Sequence, residues 1–288
     1  MRIKMQTVTL HNGVEMPTVG FGVFQIPDPE NCQQVVEEAI RTGYRLIDTA
    51  QAYGNEEAVG HAIRNAGVPR EELFITTKLW ISDMSYQEAK EAFAASMEKL
   101  GLDYLDLYLL HQPVGDIFGA WRALEELYHE GKIRAIGVSN FKPDQIANLS
   151  LFNTVKPMVN QIELHVFHQK PEERAYLASK GIQVQSWGAF AEGKFDVFTN
   201  PVLTAIASKY GKTTAQVMLR FQLQSGIVSL SKSANPERVR QNFDIFDFGL
   251  TEEDMVAIQA LNTDTTVFAD HHQAQTIEAL AGYVGKTF

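Results

Sequence analysis

Tyr44-Arg45-Leu46-Ile47-Asp48-Thr49-Ala50-Gln51-Ala52-Tyr53-Gly54-Asn55-Glu56 begins as an apolar run broken only by Arg45, turns acidic at Asp48 and then shows a phenol, Tyr53, beside the turn residues Gly54 and Asn55. The run reads as a buried strand, and Glu56 to Ala66 reads as a helix. Strand, acid, loop phenol, helix make one βα unit with ionisable groups at the strand's C-terminal end. Parallel α/β folds place their chemistry at that end.

On the N-terminal side, Thr7 to Leu10 and Val14 to Met16 flank Asn12-Gly13 and read as a β-hairpin with a type I′ turn, placed to close the bottom of the fold. Thr18 to Gly22 is a short strand. The helix after it, Glu30 to Thr42, carries Val35, Val36, Ala39 and Ile40 on one face and stops at Gly43. On the C-terminal side the alternation continues. Strands are expected at Leu73 to Thr77, Leu105 to Leu110, Ile133 to Val138, Met158 to Ile162, Ile182 to Ser186 and Ile227 to Leu230. Between them lie helices opened by Ser85-Tyr86-Gln87-Glu88, by Pro143 and by Asn235-Pro236-Glu237, and one long helical stretch from Val202 to Gln224. Eight strands, each followed by a helical segment and with no linker-like composition, fit a single-domain α/β fold, a TIM (β/α)₈ barrel spanning 1–288. A doubly wound open sheet is the competing arrangement, and the strand number favours the barrel. Residues 1–17 form the hairpin extension, and a C-terminal tail, 262–288, lies near the pocket mouth, with Phe268 to His272 bordering it.

Composition narrows the function. The chain has 288 residues and a net charge of −10, which argues against unspecific nucleic-acid binding and against anionic membranes. Cys32 is the only cysteine, so no intrachain disulfide forms, as suits a reducing compartment. No secretory signal and no apolar run of about 20 residues is present. A soluble cytoplasmic protein, monomer or weak dimer, is the expectation.

In a barrel, the residues that follow the strands share one face: Gly22, Asp48, Lys78, His111, Ser139-Asn140, Gln161, Trp187 and Lys232-Ser233. Each alone has a bland meaning. An acid after a strand is commonly a helix cap, a phenol packs, a lysine is solvated and a histidine sits hydrogen-bonded at the edge of a core. Together, an acid, a phenol, an amine and an imidazole at three successive strand ends are costly to pack without a purpose. An ammonium beside Tyr53 favours its phenolate, a carboxylate keeps that ammonium charged, and the imidazole orients an oxygen. The set suits protonation of a carbonyl oxygen while another group attacks the carbon. It needs no metal. His165-Val166-Phe167-His168 and Asp270-His271-His272 lack a clear third ligand and read as loop or surface histidines.

Gly43 to Ala50 with Tyr53-Gly54-Asn55-Glu56, Ile75 to Trp80, Leu102-Asp103 through His111, Ile136 to Phe141, Val159 to Glu163, and Lys232-Ser233 with Arg238 and Gln241-Asn242 closely resemble the signatures of the aldo-keto reductases, nearly end to end and most like small bacterial members. The resemblance implies an NADPH-dependent oxidoreductase reducing aldehydes or ketones to alcohols. It makes Tyr53 the proton donor, Lys78 (held by Asp48) the group that depresses its pKa, and His111 the residue orienting the carbonyl. It assigns Ser139, Asn140 and Gln161 to the nicotinamide carboxamide, Trp187 to stacking on the ring, Gly22 to the cofactor, and Lys232, Ser233 and Arg238, with Gln241 and Asn242, to the adenosine phosphate that selects NADPH. Phe24, Trp80 and Gln112 line the substrate pocket. Departures from the family pattern are Gly188-Ala189-Phe190 and Ser231, where relatives often carry proline, and Gln112, where many carry tryptophan. Two other readings stay open: an NADPH-binding regulatory subunit with little turnover, and a Schiff-base aldolase with Lys78 as nucleophile, which requires a neutral amine.

Overall fold

A computed structural model describes residues 6–268 and 270–284; residues 1–5 of the expected hairpin, and Ala269 and 285–288 of the expected tail, lie outside it. β1 (Thr7–Thr9) and β2 (Glu15–Pro17) pair antiparallel. The connection is a five-residue loop, residues 10–14, rather than the expected two-residue type I′ turn. Only Gly13 enters the left-handed region, at φ +87°, whereas type I′ demands positive φ at both central positions. The loop docks under the barrel, where Asn12 Nδ2 donates to Arg134 O at 2.9 Å.

Eight parallel strands close the barrel: β3 (Val19–Gly22), β4 (Leu46–Asp48), β5 (Phe74–Leu79), β6 (Leu105–Leu110), β7 (Ile133–Ser139), β8 (Val159–Glu163), β9 (Gln183–Trp187) and β10 (Val228–Ser231). Each pairs with the next, and β10 pairs back to β3. The order matches the expected barrel and removes every free edge. β3, β4, β5 and β6 are buried along their whole length, because the barrel covers one face of each strand and a helix the other.

The helices alternate with the strands: α1 (Pro29–Thr42), α2 (Glu56–Asn65), α3 (Tyr86–Leu100), α4 (Ile117–His129), α5 (Pro143–Leu151) and α6 (Pro171–Ser179). Their ends follow the sequence signals. Asp28 caps α1 and Ser85 caps α3, and prolines open α5 and α6. The long stretch expected from Val202 to Gln224 is two helices, α7 (Pro201–Tyr210) and α8 (Thr214–Gln224). Gly211 takes φ +64° and ends the first, and Thr213 with Gln216 forms a capping box that starts the second. After β10 come α9 (Pro236–Phe243), α10 (Glu252–Gln259) and, in the tail, α11 (Ala274–Ala281).

The tail is anchored by a buried acid. Glu163, at the end of β8, accepts from Thr266 Oγ1 at 2.6 Å, from Val267 N at 2.8 Å and from His165 Nε2 at 3.1 Å. Lys194 Nζ donates to Val267 O, and Trp80 Nε1 donates to Tyr283 O at 3.3 Å. His165 lies in the loop after β8, one of the two places expected for it, and is buried against Glu163 rather than at the surface.

Two outcomes test this packing. A Cβ on Gly60 of α2 would sit 2.3 Å from the backbone oxygen of Leu100 on α3, so Gly60→Ala should lower stability by about 1–3 kcal/mol, read as a lower melting temperature. Burial alone would raise the Glu163 carboxyl, but hydrogen bonds from His165, Thr266 and the Val267 backbone outweigh it and hold the group at about 2, against an ordinary 4.5. A depressed carboxyl stabilises the fold above its unfolded value and ceases to as pH falls toward the folded one; the contribution is at most about 3 kcal/mol. Melting curves of the wild type and Glu163→Gln should converge as pH is lowered from 5 toward 3, the wild type losing more.

Candidate active site

Parallel register decides which side chains meet. Asp48 of β4 lies opposite Gly22 of β3 and Thr76 of β5, and Lys78, two residues beyond Thr76, projects to the same side of its strand. Lys78 is fully buried, and its three ammonium protons are all used. Nζ donates to Asp48 Oδ1 at 2.5 Å, to Thr49 O at 2.8 Å and to Tyr53 Oη at 3.3 Å. Tyr53 arrives on a short 3₁₀ turn, Gln51–Tyr53, closed by Gly54 at φ +67°. The turn is held by Asn55, which accepts from Thr49 Oγ1 at 2.8 Å and donates to Val23 O at 3.0 Å. His111 follows β6 and meets the Tyr53 ring edge-on at 5.6 Å and the Trp80 ring at 5.0 Å. The four groups expected to act together are adjacent.

Their protonation departs from the expectation in one respect. Burial pushes the Tyr53 phenol above its ordinary range; the Lys78 charge pulls it down, Asp48 pushes it up, and burial wins. The expected depression by Lys78 is thus present but outweighed. Burial lowers Lys78, but Asp48 and Tyr53 together raise it above a free lysine, so it stays an ammonium. That removes the neutral amine on which the Schiff-base reading depends. Burial first, then the Lys78 charge and His271, push His111 well below the usual histidine range. The imidazole is neutral at pH 7 and has one N–H to give. Its Nδ1 is buried without a partner among the described residues.

These groups open onto a cavity of about 270 Å³. Gly22, Phe24, Trp80, Gln112, Ser139, Asn140, Gln161, Trp187 and Lys232 line it, each a position singled out in the sequence. Asn140 takes φ +64°, a left-handed conformation that asparagine tolerates better than most residues. That turn lets its Oδ1 accept from Trp187 Nε1 at 2.9 Å while its Nδ2 lies 3.2 Å from both His111 O and Gln112 Oε1. Ser139 Oγ donates to Gln161 O at 2.8 Å. Tail residues Phe268, His271 and Leu280 line the same cavity, and Phe268 meets the Trp187 ring at 5.1 Å. Glu192 and Leu230 also line it and gave no signal in the sequence.

Ser233, Arg238, Gln241 and Asn242 are not brought into this lining. They lie on α9 and the loop before it, beyond Lys232. Lys232 and Arg238 are exposed and form no ion pair among the described residues, although the protein carries an excess of acid. Ser231, where relatives often have proline, joins its hydroxyl to Tyr44 Oη at 3.1 Å. The site also uses the amide of Gln185, for which the sequence held no signal. Gln161 Nε2 donates to Asp48 Oδ2 and to Gln185 Oε1, both at 2.8 Å.

The comparisons agree with this geometry. The chain matches the model of the aldo/keto reductase family over residues 18–263. It is 50% identical over 262 residues to glyoxal reductase of Bacillus subtilis (strain 168), covering 91% of this chain and 94% of that one. Among solved structures it resembles MGS-M4, an aldo-keto reductase from a Medee basin deep-sea metagenome library, with a TM-score of 0.91 and 42% identity over 93% of this chain and 99% of the other. It also resembles the Bombyx mori aldo-keto reductase solved in complex with NADP, with a TM-score of 0.87 and 35% identity over 93% of this chain and 96% of that one. Barrel, catalytic-type cluster and sequence match coincide, and the chain belongs to the aldo/keto reductase family.

Proposed function

We propose that this protein reduces aldehydes or ketones to alcohols with NADPH, with Tyr53 as proton donor. The observation that carries the reading is the buried contact set of Lys78 with Asp48, Thr49 O and Tyr53 Oη at the floor of the cavity. Bound NADPH supplies the hydride. The chain supplies the rest. Tyr53 holds its proton at neutral pH, as an ordinary phenol does, and burial raises it further, so it is in the acid form that reduction requires. As the proton leaves, a phenolate forms 3.3 Å from a fixed ammonium, and that attraction is strongest where the negative charge is developing. Asp48 acts only through Lys78. His111, neutral, donates one hydrogen bond to the carbonyl oxygen and sets its approach.

The residues present fit the cofactor. Ser139, Asn140 and Gln161 offer polar atoms on the cavity wall for a carboxamide, and Trp187, pinned by Asn140, offers a flat face for its ring. Gly22 carries no side chain to obstruct it, since a Cβ there would meet nothing closer than Ser231 O at 4.0 Å. Lys232 and Arg238, exposed and without an ion pair among the described residues, would hold the 2′-phosphate with Ser233, Gln241 and Asn242 of the same loop and helix α9. Phe24, Trp80 and Gln112 face the substrate, and the tail, with Phe268 and His271, borders the mouth. A single barrel domain in a monomer or weak dimer suits such a site. The acidic charge and the one buried cysteine support a cytoplasmic location.

Tyr53→Phe should lower kcat for aldehyde reduction by about 10²–10⁴-fold with little change in NADPH binding, measured by NADPH oxidation and fluorescence titration. A wild-type rate in this variant would sink the proton-donor assignment. The wild-type reduction rate should be level through neutral pH and fall only at alkaline pH, where Tyr53 loses its proton. Arg238→Ala should weaken NADPH by about 10- to 150-fold and leave NADH unchanged, since one charge-assisted contact is worth about 1.5–3 kcal/mol. Equal effects on both dinucleotides would refute the phosphate assignment.

A further inference from the structure

Gln161 is wedged between two acceptors. Its Nε2 lies 2.8 Å from Asp48 Oδ2 and 2.8 Å from Gln185 Oε1. The first contact fixes the orientation of the amide. Asp48 is paired with Lys78 through its other oxygen, and a carboxylate only accepts, so the Gln161 atom facing it must be the amide nitrogen. The second contact uses the remaining N–H. Both donors of Gln161 are then spent, and its carbonyl oxygen is what the residue has left. That Oε1 accepts nothing from the described residues, and it is not among the buried atoms lacking a partner, so it is not sealed from solvent. Gln161 itself lines the cavity.

Gln185 sits beside Gln161 in register on β9 and is completely buried. Its Nε2 has no partner among the described residues. Turning the amide over would direct that nitrogen at the Gln161 nitrogen, donor against donor. The orientation that leaves one buried N–H unmet is therefore kept because it meets the N–H of Gln161. Leaving an amide hydrogen unbonded in a barrel interior is unfavourable, and a strand core offers many apolar side chains of similar size.

Accepting the NADPH reading above, we propose that Gln185 is a positioning residue for the cofactor site. It acts through Gln161, holding the amide so that the cavity meets only a carbonyl oxygen there and selects a ring substituent that can donate an N–H. Gln185 does not line the cavity and need not touch the cofactor.

The test compares NADPH with its 3-acetylpyridine analogue, in which a methyl group replaces the carboxamide nitrogen and no N–H can be donated. Dissociation constants are read by fluorescence titration of the intact protein, without turnover, for the wild type, Gln185→Met, Gln161→Met and the double variant. The wild type should prefer NADPH. Gln185→Met should weaken NADPH by about 5-fold, the value of one ordinary hydrogen bond, while moving the analogue much less, so that the preference narrows. In the Gln161→Met background the Gln185 change should add nothing to the preference. Binding of 2′,5′-ADP, which lacks the nicotinamide end, and the melting temperature report general damage. Should Gln185→Met not fold, Gln185→Thr removes the same acceptor, being too short to reach Gln161, and leaves a hydroxyl in its place. An unchanged preference in a folded variant, or equal weakening of both dinucleotides, overturns the assignment to Gln185 and leaves the NADPH reading intact. A wild type that binds neither dinucleotide overturns both.

Discussion

A lysine ammonium with no solvent exposure sits at the centre of this barrel, and the surrounding structure must answer for it. Moving a lone charge out of water is prohibitive, so a buried lysine either gives up its proton or is met on every side. Here it is met: carboxylate, backbone carbonyl and phenol take its three protons. Removing Asp48 would strand the charge, a loss of about 3–5 kcal/mol in buried pairs generally. The demand reaches beyond the pair. Asp48 must end β4 one register step from β5, Thr49 must turn its carbonyl inward, and the loop after it must return Tyr53 to the same point. Asn55 secures that return by bonding to Thr49 and to the loop after β3.

The same constraint explains how a phenol with a raised pKa serves as a proton donor. A depressed value would leave Tyr53 partly ionised before reaction and waste it as an acid. Burial keeps the proton on. The cost of burial falls on the phenolate, and Lys78 offsets it where that charge is forming. The ammonium acts on the difference between the two states, which is what lowers a barrier. His111 follows the same logic. Burial first, and then neighbouring positive charge, keep it neutral, so it can orient an oxygen without competing as the acid.

How much of this was legible in the sequence depends on the range of the interaction. Eight apolar runs ending in polar residues, with Asn and Pro opening the helix at Asn235-Pro236, are local signals, and the barrel and the lining residues follow from them. The break at Gly211 was masked because apolar spacing continues through α7 and α8, although Gly211 followed by the capping-box pair Thr213 and Gln216 is a local stop-and-start signal. The Asn12-Gly13 pair suggested a two-residue turn, but loop length is fixed by strand register, which a dipeptide does not carry. At Tyr53 the pull of Lys78 was legible and the net direction was not, because a neighbouring charge is visible in a motif and the depth of burial is not. Gln185 looked like one more residue of a strand. Its meaning depends on facing Gln161, and inward or outward facing in a barrel is set by closure.

The position of Asp48 shows why an acid is required there for geometry as well as charge. Its two oxygens face two donors, Lys78 and Gln161. An asparagine has the same shape but only one acceptor, so it would set its own N–H against one of them. The carboxylate joins two halves of the site that the chain supplies from distant segments. One is the proton side, built on β4, β5 and β6. The other is the wall on β7, β8 and β9 that we assign to the nicotinamide. The stretch from Tyr44 to Glu56 therefore does more than deliver a proton donor. Through Asp48 it fixes the amide of Gln161 on the far side of the barrel, so that the point where the proton is held and the wall assigned to the cofactor are set by one carboxylate.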